Sequence, residues 1–210
     1  MKPSGDFTMP MFKPALLAAA FALALPAAAG AITLDFESDV GGGKANGFSS
    51  VDSALLSFTD SVGANLSVSN YGVQGDGQSL GVHGDSDLSQ LLMSFTGFAA
   101  SLSLDFGNDD SCCSSAGDLA WLIGYSGGSE VAASSVVMNR DDVMNQGISI
   151  SGVFDSAVFY YGDASRNVIA LTEIVDNITF EMAVSDVPVP AAGLLLLGGI
   201  GALAGLRRRG

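Results

Sequence analysis

Four kinds of side chain in this sequence have chemistry to offer: one histidine, two cysteines, a large excess of carboxylates, and a small set of tyrosine and tryptophan rings. His83 stands alone in Gly81-Val-His-Gly-Asp85. A Ser-His-Asp hydrolase would use its imidazole as general base, yet no G-x-S-x-G elbow supplies a nucleophile to pair with it. Zinc draws several His or thiolate ligands to one point, and this chain has too few. His83 therefore reads as an ordinary loop residue.

The carboxylates dominate. Residues 32–186 hold 21 acids against three bases, Lys44, Arg140 and Arg166, for a net charge of −18. Nucleic acid is excluded as a partner, because a polyanion needs a basic footprint. Glycosidases work with two carboxylates facing a sugar. Here nearly every acid neighbours Gly, Ser or Asn, as solvated loop charges do, so no catalytic residue is assigned. Calcium is the better-founded site, since hard cations take carboxylate and carbonyl oxygens from loops. Asn108, Asp109 and Asp110, with Asp118 after a short loop, form the candidate calcium site. Asp35, Glu37, Asp176 and Asn177 lie near the ends of the expected first and last strands and offer further oxygens. There is no twelve-residue EF-hand loop and no nonapeptide repeat, so acidic turns that keep the surface soluble are the competing reading.

Cys112 and Cys113 are adjacent. In an oxidising compartment they either close a vicinal disulfide on the loop between Asp109 and Asp118 or pair with other chains. A bridge between neighbours closes almost no chain, so its entropic stabilisation is small. The C-x-x-C spacing of a redox pair is absent. Tyr71, Trp121, Tyr125, Tyr160 and Tyr161 are rings of the kind that stack on sugars. Trp121 sits in Leu119-Ala-Trp-Leu-Ile123 and reads as core. Tyr160 and Tyr161 must point to opposite faces of a strand, which leaves at most one of them for a ligand.

The elements that carry these residues read as strands. Apolar and polar residues alternate in ITLDFE (from Ile32), ANLSVS (to Ser69), ASLSLDFG (to Gly107), GISISG (from Gly147) and NITFEM (to Met182). Residues 115–121 and 156–161 fit as denser, central strands. Gly, Asn and Asp punctuate them at 41–43, 75–77, 84–85, 107–109, 127–128 and 162–163, where turns need positive φ. Residues 141–146 are the best candidate for a short helix. The pattern predicts an all-β, two-sheet β-sandwich over residues 32–186, large enough to fold alone.

The two ends read as addresses. Lys2 and Lys13 precede an apolar stretch over residues 15–25, broken by Pro26 and followed by A-x-A sites ending at Ala29 and Ala31. That is a signal peptide over residues 1–31, too short for a comfortable membrane span. At the other end Val187-Pro188-Val189-Pro190-Ala191 leads into an apolar run through Leu206, then Arg207, Arg208 and Arg209. As a helix, residues 191–206 would rise about 24 Å, near the lower edge of a bilayer core once the preceding residues are included. The arginines should remain cytoplasmic and act as a membrane stop, so the acidic domain faces outward. The prolines hold the preceding peptide extended, which suits a processing enzyme. Gly201 and Gly205 form a small-xxx-small pair that would let a second membrane helix approach.

This three-part order resembles the PEP-CTERM sorting signals of exopolysaccharide-producing Gram-negative bacteria, in the VPLPA-CTERM form. Val189 stands where that form has Leu, and no Glu lies between the prolines. The resemblance covers residues 187–210. It implies recognition by an exosortase, an integral-membrane processing enzyme of cysteine-protease type, after transient anchoring in the inner membrane. Release or transfer to the cell surface or extracellular matrix would follow. The run from LSLDFGNDD through WLIGYSGG to VDNITFE also resembles galactose-binding-like jelly rolls found in such proteins. Together these imply an exported, non-enzymatic surface or matrix protein associated with exopolysaccharide in a biofilm. The alternatives are a calcium-supported carbohydrate-binding module or a permanently membrane-anchored surface protein.

Overall fold

The structure, a computed structural model, describes residues 30–83 and 88–184. Residues 1–29 of the expected signal segment, the Gly84-Asp85 turn, the sorting motif at Val187–Ala191, the apolar tail and Arg207–Arg209 lie outside the described residues. Ten strands follow one another: β1 (Ile32–Leu34), β2 (Gly42–Lys44), β3 (Leu56–Asp60), β4 (Leu66–Asn70), β5 (Gln78–Val82), β6 (Leu91–Gly107), β7 (Leu119–Ser126), β8 (Ser129–Val137), β9 (Gln146–Gly162) and β10 (Glu173–Met182). The one helical element among the described residues is a 3-10 turn at Gly72–Gln74. No described helix is long and apolar enough to cross a membrane.

All pairings are antiparallel, and β6 and β9 organise them. Each runs 17 residues and changes layers midway. The second half of β6 pairs with β10 and with the first half of β9. β5 and β1 follow one another along the far side of β10, and β4 and β2 complete that layer. The first half of β6 instead lies between β3 and the second half of β9, and β7 and β8 continue the other layer. The crossover is visible in burial. Leu91, Met93 and Phe95 point inward, then Leu102, Leu104 and Phe106 do, so the alternation has slipped by one residue. β9 slips the same way between Phe154 and Ala157. Register shifts between Ser94, Ala99 and Ser101 mark the irregularity that absorbs the bend. Gly152, at φ 152°, allows it on β9.

Phenylalanine fills the space between the layers. Phe106 packs 5.7 Å from Phe159 and 6.0 Å from Tyr161, ring centre to ring centre, across the layers. Phe95 packs 5.7 Å from Phe154 and 5.4 Å from Phe180 in edge-on contacts. These geometries suit ring quadrupoles and add to the large apolar area removed from water. The fold is thus all-β and sandwich-like.

Three local expectations change. Residues 141–145 form a loop and Gln146 opens β9, because Asp141 accepts the Val143 amide at 3.0 Å and Asp142 takes a positive φ of 63°. Side chains that bond their own backbone compete with a helix. Residues 115–118 are a tight turn closed by Ser115 N–H on Asp118 Oδ2 at 2.6 Å, so the strand begins at Leu119. Gly42 and Gly43, read as turn, belong to β2 and pair with β4.

Asp176 interrupts β10 beside Asn177, whose φ is 48°. Its side chain is fully buried, and Oδ2 accepts the Ser79 hydroxyl at 2.7 Å. Burial pushes its pKa up to about 6, against the opposing pull of the Ser79 hydroxyl and of the Asn177 and Asp76 amides. The folded chain therefore holds this proton more tightly than the unfolded chain, whose aspartates titrate near 3.9. Stability from this group must rise as pH falls from about 7 toward 4. From pH 8 to pH 5 the gain should be on the order of 1 kcal/mol. Urea unfolding at the two pH values should show that increment in the wild type and lose it in Asp176→Asn; identical slopes would contradict the assignment.

Candidate functional site

The acidic loops are fastened inward. Asp109, only 1% exposed, accepts the Arg140 amide at 2.7 Å on Oδ2 and the Asp142 amide at 2.9 Å on Oδ1. Arg140, at φ 64°, returns across the gap: its Nη2 donates to the Ser114 carbonyl at 2.7 Å and its Nε to the Ser114 hydroxyl at 3.1 Å. Asp110 accepts the Cys112 amide at 2.8 Å, and Asp118 closes its own turn. Asn108 accepts from Gln74 Nε2 at 3.0 Å and donates to the Thr172 carbonyl at 2.6 Å. Asp109, Asp110 and Asp118 thus accept backbone amides, while Asn108 bonds a side-chain amide and a backbone carbonyl. Among the described residues no group of three or more His, Cys, Asp or Glu side chains is placed to hold a metal ion.

Burial corrects the reading of these acids as solvated loop charges. Asp39, Asp60, Asp109, Glu173 and Asp176 are all buried. Asp39 accepts the Ser50 hydroxyl at 2.6 Å and the Val51 amide at 3.1 Å; Asp60 accepts the Val62 and Asn65 amides at 2.9 and 3.0 Å. A short carboxylate satisfies orphaned turn amides with charge-assisted bonds, so aspartate does here what capping residues do for helices. Cys112 and Cys113 are joined in a vicinal disulfide within the same loop region, with Cα atoms 3.8 Å apart. The imidazole Nε2 of His83 lies 2.8 Å from the Tyr71 hydroxyl, and their rings sit 5.2 Å apart.

A different cluster forms on the outer face of the second layer. Ala120 and Leu122 point inward and are fully buried, so strand alternation turns Trp121 outward, where it is half-buried rather than core. The register sets Trp121 opposite Tyr160 on β9 and Ser135 on β8, Ile123 opposite Val158 and Ala133, and Tyr125 opposite Ser156. Tyr161 faces the core, while Tyr160 lies beside Trp121 on the other side and is only 4% exposed. Beyond β9 the same rows continue through Ser94 to Ser57 and through Leu92 to Thr59. Trp121 Nε1 donates to the Asp163 carbonyl at 3.1 Å, which pins the indole.

Arg166 and Glu130 complete this face. The Arg166 guanidinium carbon sits 4.9 Å from the centre of the Trp121 ring. Its Nη1 and Nη2 donate to the two Glu130 oxygens at 2.7 and 3.1 Å, and both side chains remain about 40% exposed. The Glu130 bond, first, and its charge raise the Arg166 pKa. Burial is the main cause that raises the Tyr160 pKa, and Arg166 opposes it. Sequence reasoning found the rings but not this pair. The signal was present in Arg166 itself, one of three bases in a domain of 21 acids.

No protein-family model matches the chain, and no curated protein is significantly similar to it. Solved structures give distant matches. The CBM22-1 xylan-binding domain of Paenibacillus barcinonensis Xyn10C is 13% identical, with a TM-score of 0.40 over 74% of this chain and 96% of that one. A DUF4465 family protein from Bacteroides caccae is 14% identical, with a TM-score of 0.40 over 78% of this chain and 97% of that one. The α-L-arabinofuranosidase MgGH51 is 14% identical with a TM-score of 0.41; 74% of this chain matches 27% of that one.

Proposed function

We propose that this chain is an exported, non-catalytic β-sandwich of the galactose-binding-like jelly-roll type. Its C-terminal segment carries it to the cell surface or extracellular matrix, and an exosortase cleaves that segment at or near Val187–Ala191. The observation that carries the proposal is the order of residues in the tail: proline motif, apolar run, then Arg207–Arg209, beginning a few residues after the last strand ends at Met182. The domain's connectivity suits tethering at one end. Ile32 pairs with Phe180, and the Ala183 amide donates to the Phe98 carbonyl at 2.7 Å, so the chain enters and leaves at the same end of the sheet. The candidate calcium loops lie at the other end of β6, after Gly107.

A non-catalytic role is supported by how the acids are used. Asp39, Asp60, Asp109 and Asp176 accept turn amides and hydroxyls from inside the fold. The mature domain would serve a structural or adhesive purpose beside exopolysaccharide. A chain ending at Asp186 tests the sorting part. It should be exported yet fail to appear on the surface or in the matrix, which cell fractionation would detect. Unchanged surface delivery would refute the proposal.

A further inference from the structure

We infer that the outer face of the second layer binds a neutral polysaccharide across Trp121, Tyr125, Arg166 and Glu130. This inference uses residues 57–166 alone and stands whether or not the tail is processed. It begins with where the rings are. The rings turned toward the core are phenylalanines, with Tyr161 the exception. Trp121, Tyr125 and Tyr160 share the opposite side of β7 and β9, where Trp121 and Tyr125 are partly exposed and Tyr160 is covered. A ring that only filled space would need no polar atom, whereas an indole or phenol offers an apolar plate with a hydrogen-bonding handle.

A sugar ring has matching parts: an apolar C–H face for the plate and a rim of hydroxyls for hydrogen bonds. The neighbours of Trp121 and Ile123 on β8 are Ser135 and Ala133, too small to cover the plate from that side. Tyr160 lies beside it on β9. Arg166, bonded to both Glu130 oxygens, lies over the Trp121 ring and presents its own flat guanidinium to solvent. Guanidinium has five N–H donors, and a carboxylate accepts more than one bond per oxygen. Both groups therefore keep capacity for hydroxyls while remaining paired. Ser57, Ser94, Ser156 and Thr59 continue the face as a hydroxylated strip from β9 to β3, giving a chain of sugars somewhere to run.

Charge selects the class of glycan. At −18 over residues 32–186, the domain repels an acidic polymer. Its three bases are already engaged: Lys44 with the Val40 carbonyl and the Phe48 ring, Arg140 with Ser111 and Ser114, and Arg166 with Glu130. A neutral polymer meets no such barrier, and the paired charges at the rim suit it.

Trp121 is the only tryptophan in the chain, so its emission reports this face directly. The full chain, purified in mild detergent, would be run through native gels containing hydroxyethyl cellulose, galactomannan, dextran or alginate, and titrated with each while tryptophan emission and acrylamide quenching are followed. Retardation by at least one neutral polymer is expected, with Trp121 shielded from quencher at the same concentrations. Tyr125→Ala, on a half-exposed side chain that the core does not need, should weaken binding roughly tenfold, as loss of one aromatic contact would. Arg166→Ala should weaken it while leaving the unfolding midpoint of a half-exposed ion pair little changed. The inference is overturned by binding to alginate alone, by no binding to any neutral polymer, or by binding that leaves Trp121 emission and the Tyr125→Ala affinity unmoved.

Discussion

Phe154→Ala should cost about 3–5 kcal/mol of unfolding free energy, a large share of the roughly 5–15 kcal/mol that holds a domain of this kind together. The ring is fully buried at the point where β9 passes from one layer to the other. It meets Phe95 edge-on at 5.7 Å and reaches so close to Gly124 that a Cβ there would sit 3.2 Å from it. Its partner across the bend is Ala99, whose methyl group is too small to fill the space the ring leaves. The cavity term should therefore appear nearly in full. Phe154→Leu, which keeps much of the volume, should recover about half of the loss. Guanidinium titrations would read both, and a cost below about 1 kcal/mol for the alanine variant would mean that the layers do not rely on this junction.

Asp109→Ala should cost about 3 kcal/mol through a different mechanism. It leaves two amides, of Arg140 and Asp142, without the carboxylate that receives them at 2.7 and 2.9 Å. Each buried donor left unpaired costs roughly 1–3 kcal/mol. Both residues also sit at positive φ, 64° and 63°, a conformation that side-chain-bearing residues hold only when bonding enforces it. Amide hydrogen exchange separates local from global effects. Protection should collapse across residues 139–143 in the variant while the pairing of β6 with β9 keeps its rank as the slowest region. Unchanged exchange in that loop would show that Asp109 does not hold it.

Much of the architecture was legible because half-buried strands announce themselves by alternation. Leu102, Leu104 and Phe106, and Ile178 and Phe180, appear as inward rows in the residues alone. The length of β6 and β9 was not legible. Their alternation slips at Ala99 and again after Phe154, and a period-two pattern that changes phase looks like two short strands with a loop between them. β8 was opaque for another reason: Ser129–Val137 is exposed or half-exposed throughout, so its small side chains carry little periodic contrast.

The candidate site was legible in residue type and illegible in position. Trp121 lies in a run of apolar neighbours that suggests burial on both sides, and only its strand phase reveals the outward face. Asp39, Asp60, Asp109 and Asp176 have the same Gly, Ser and Asn neighbours as the solvent-facing acids. What distinguishes them is which distant amide they reach, and that depends on long-range pairing. The Arg166–Glu130 pair spans 36 residues, so no local spacing announces it.

The central claim, that the tail is a processed sorting signal, is tested most directly by the intact mass of the native protein recovered from its own cells. The account predicts a species outside the inner membrane that lacks the residues following the Val187–Ala191 region, Arg207–Arg209 included. Recovery of the complete C-terminus in the inner-membrane fraction would contradict it.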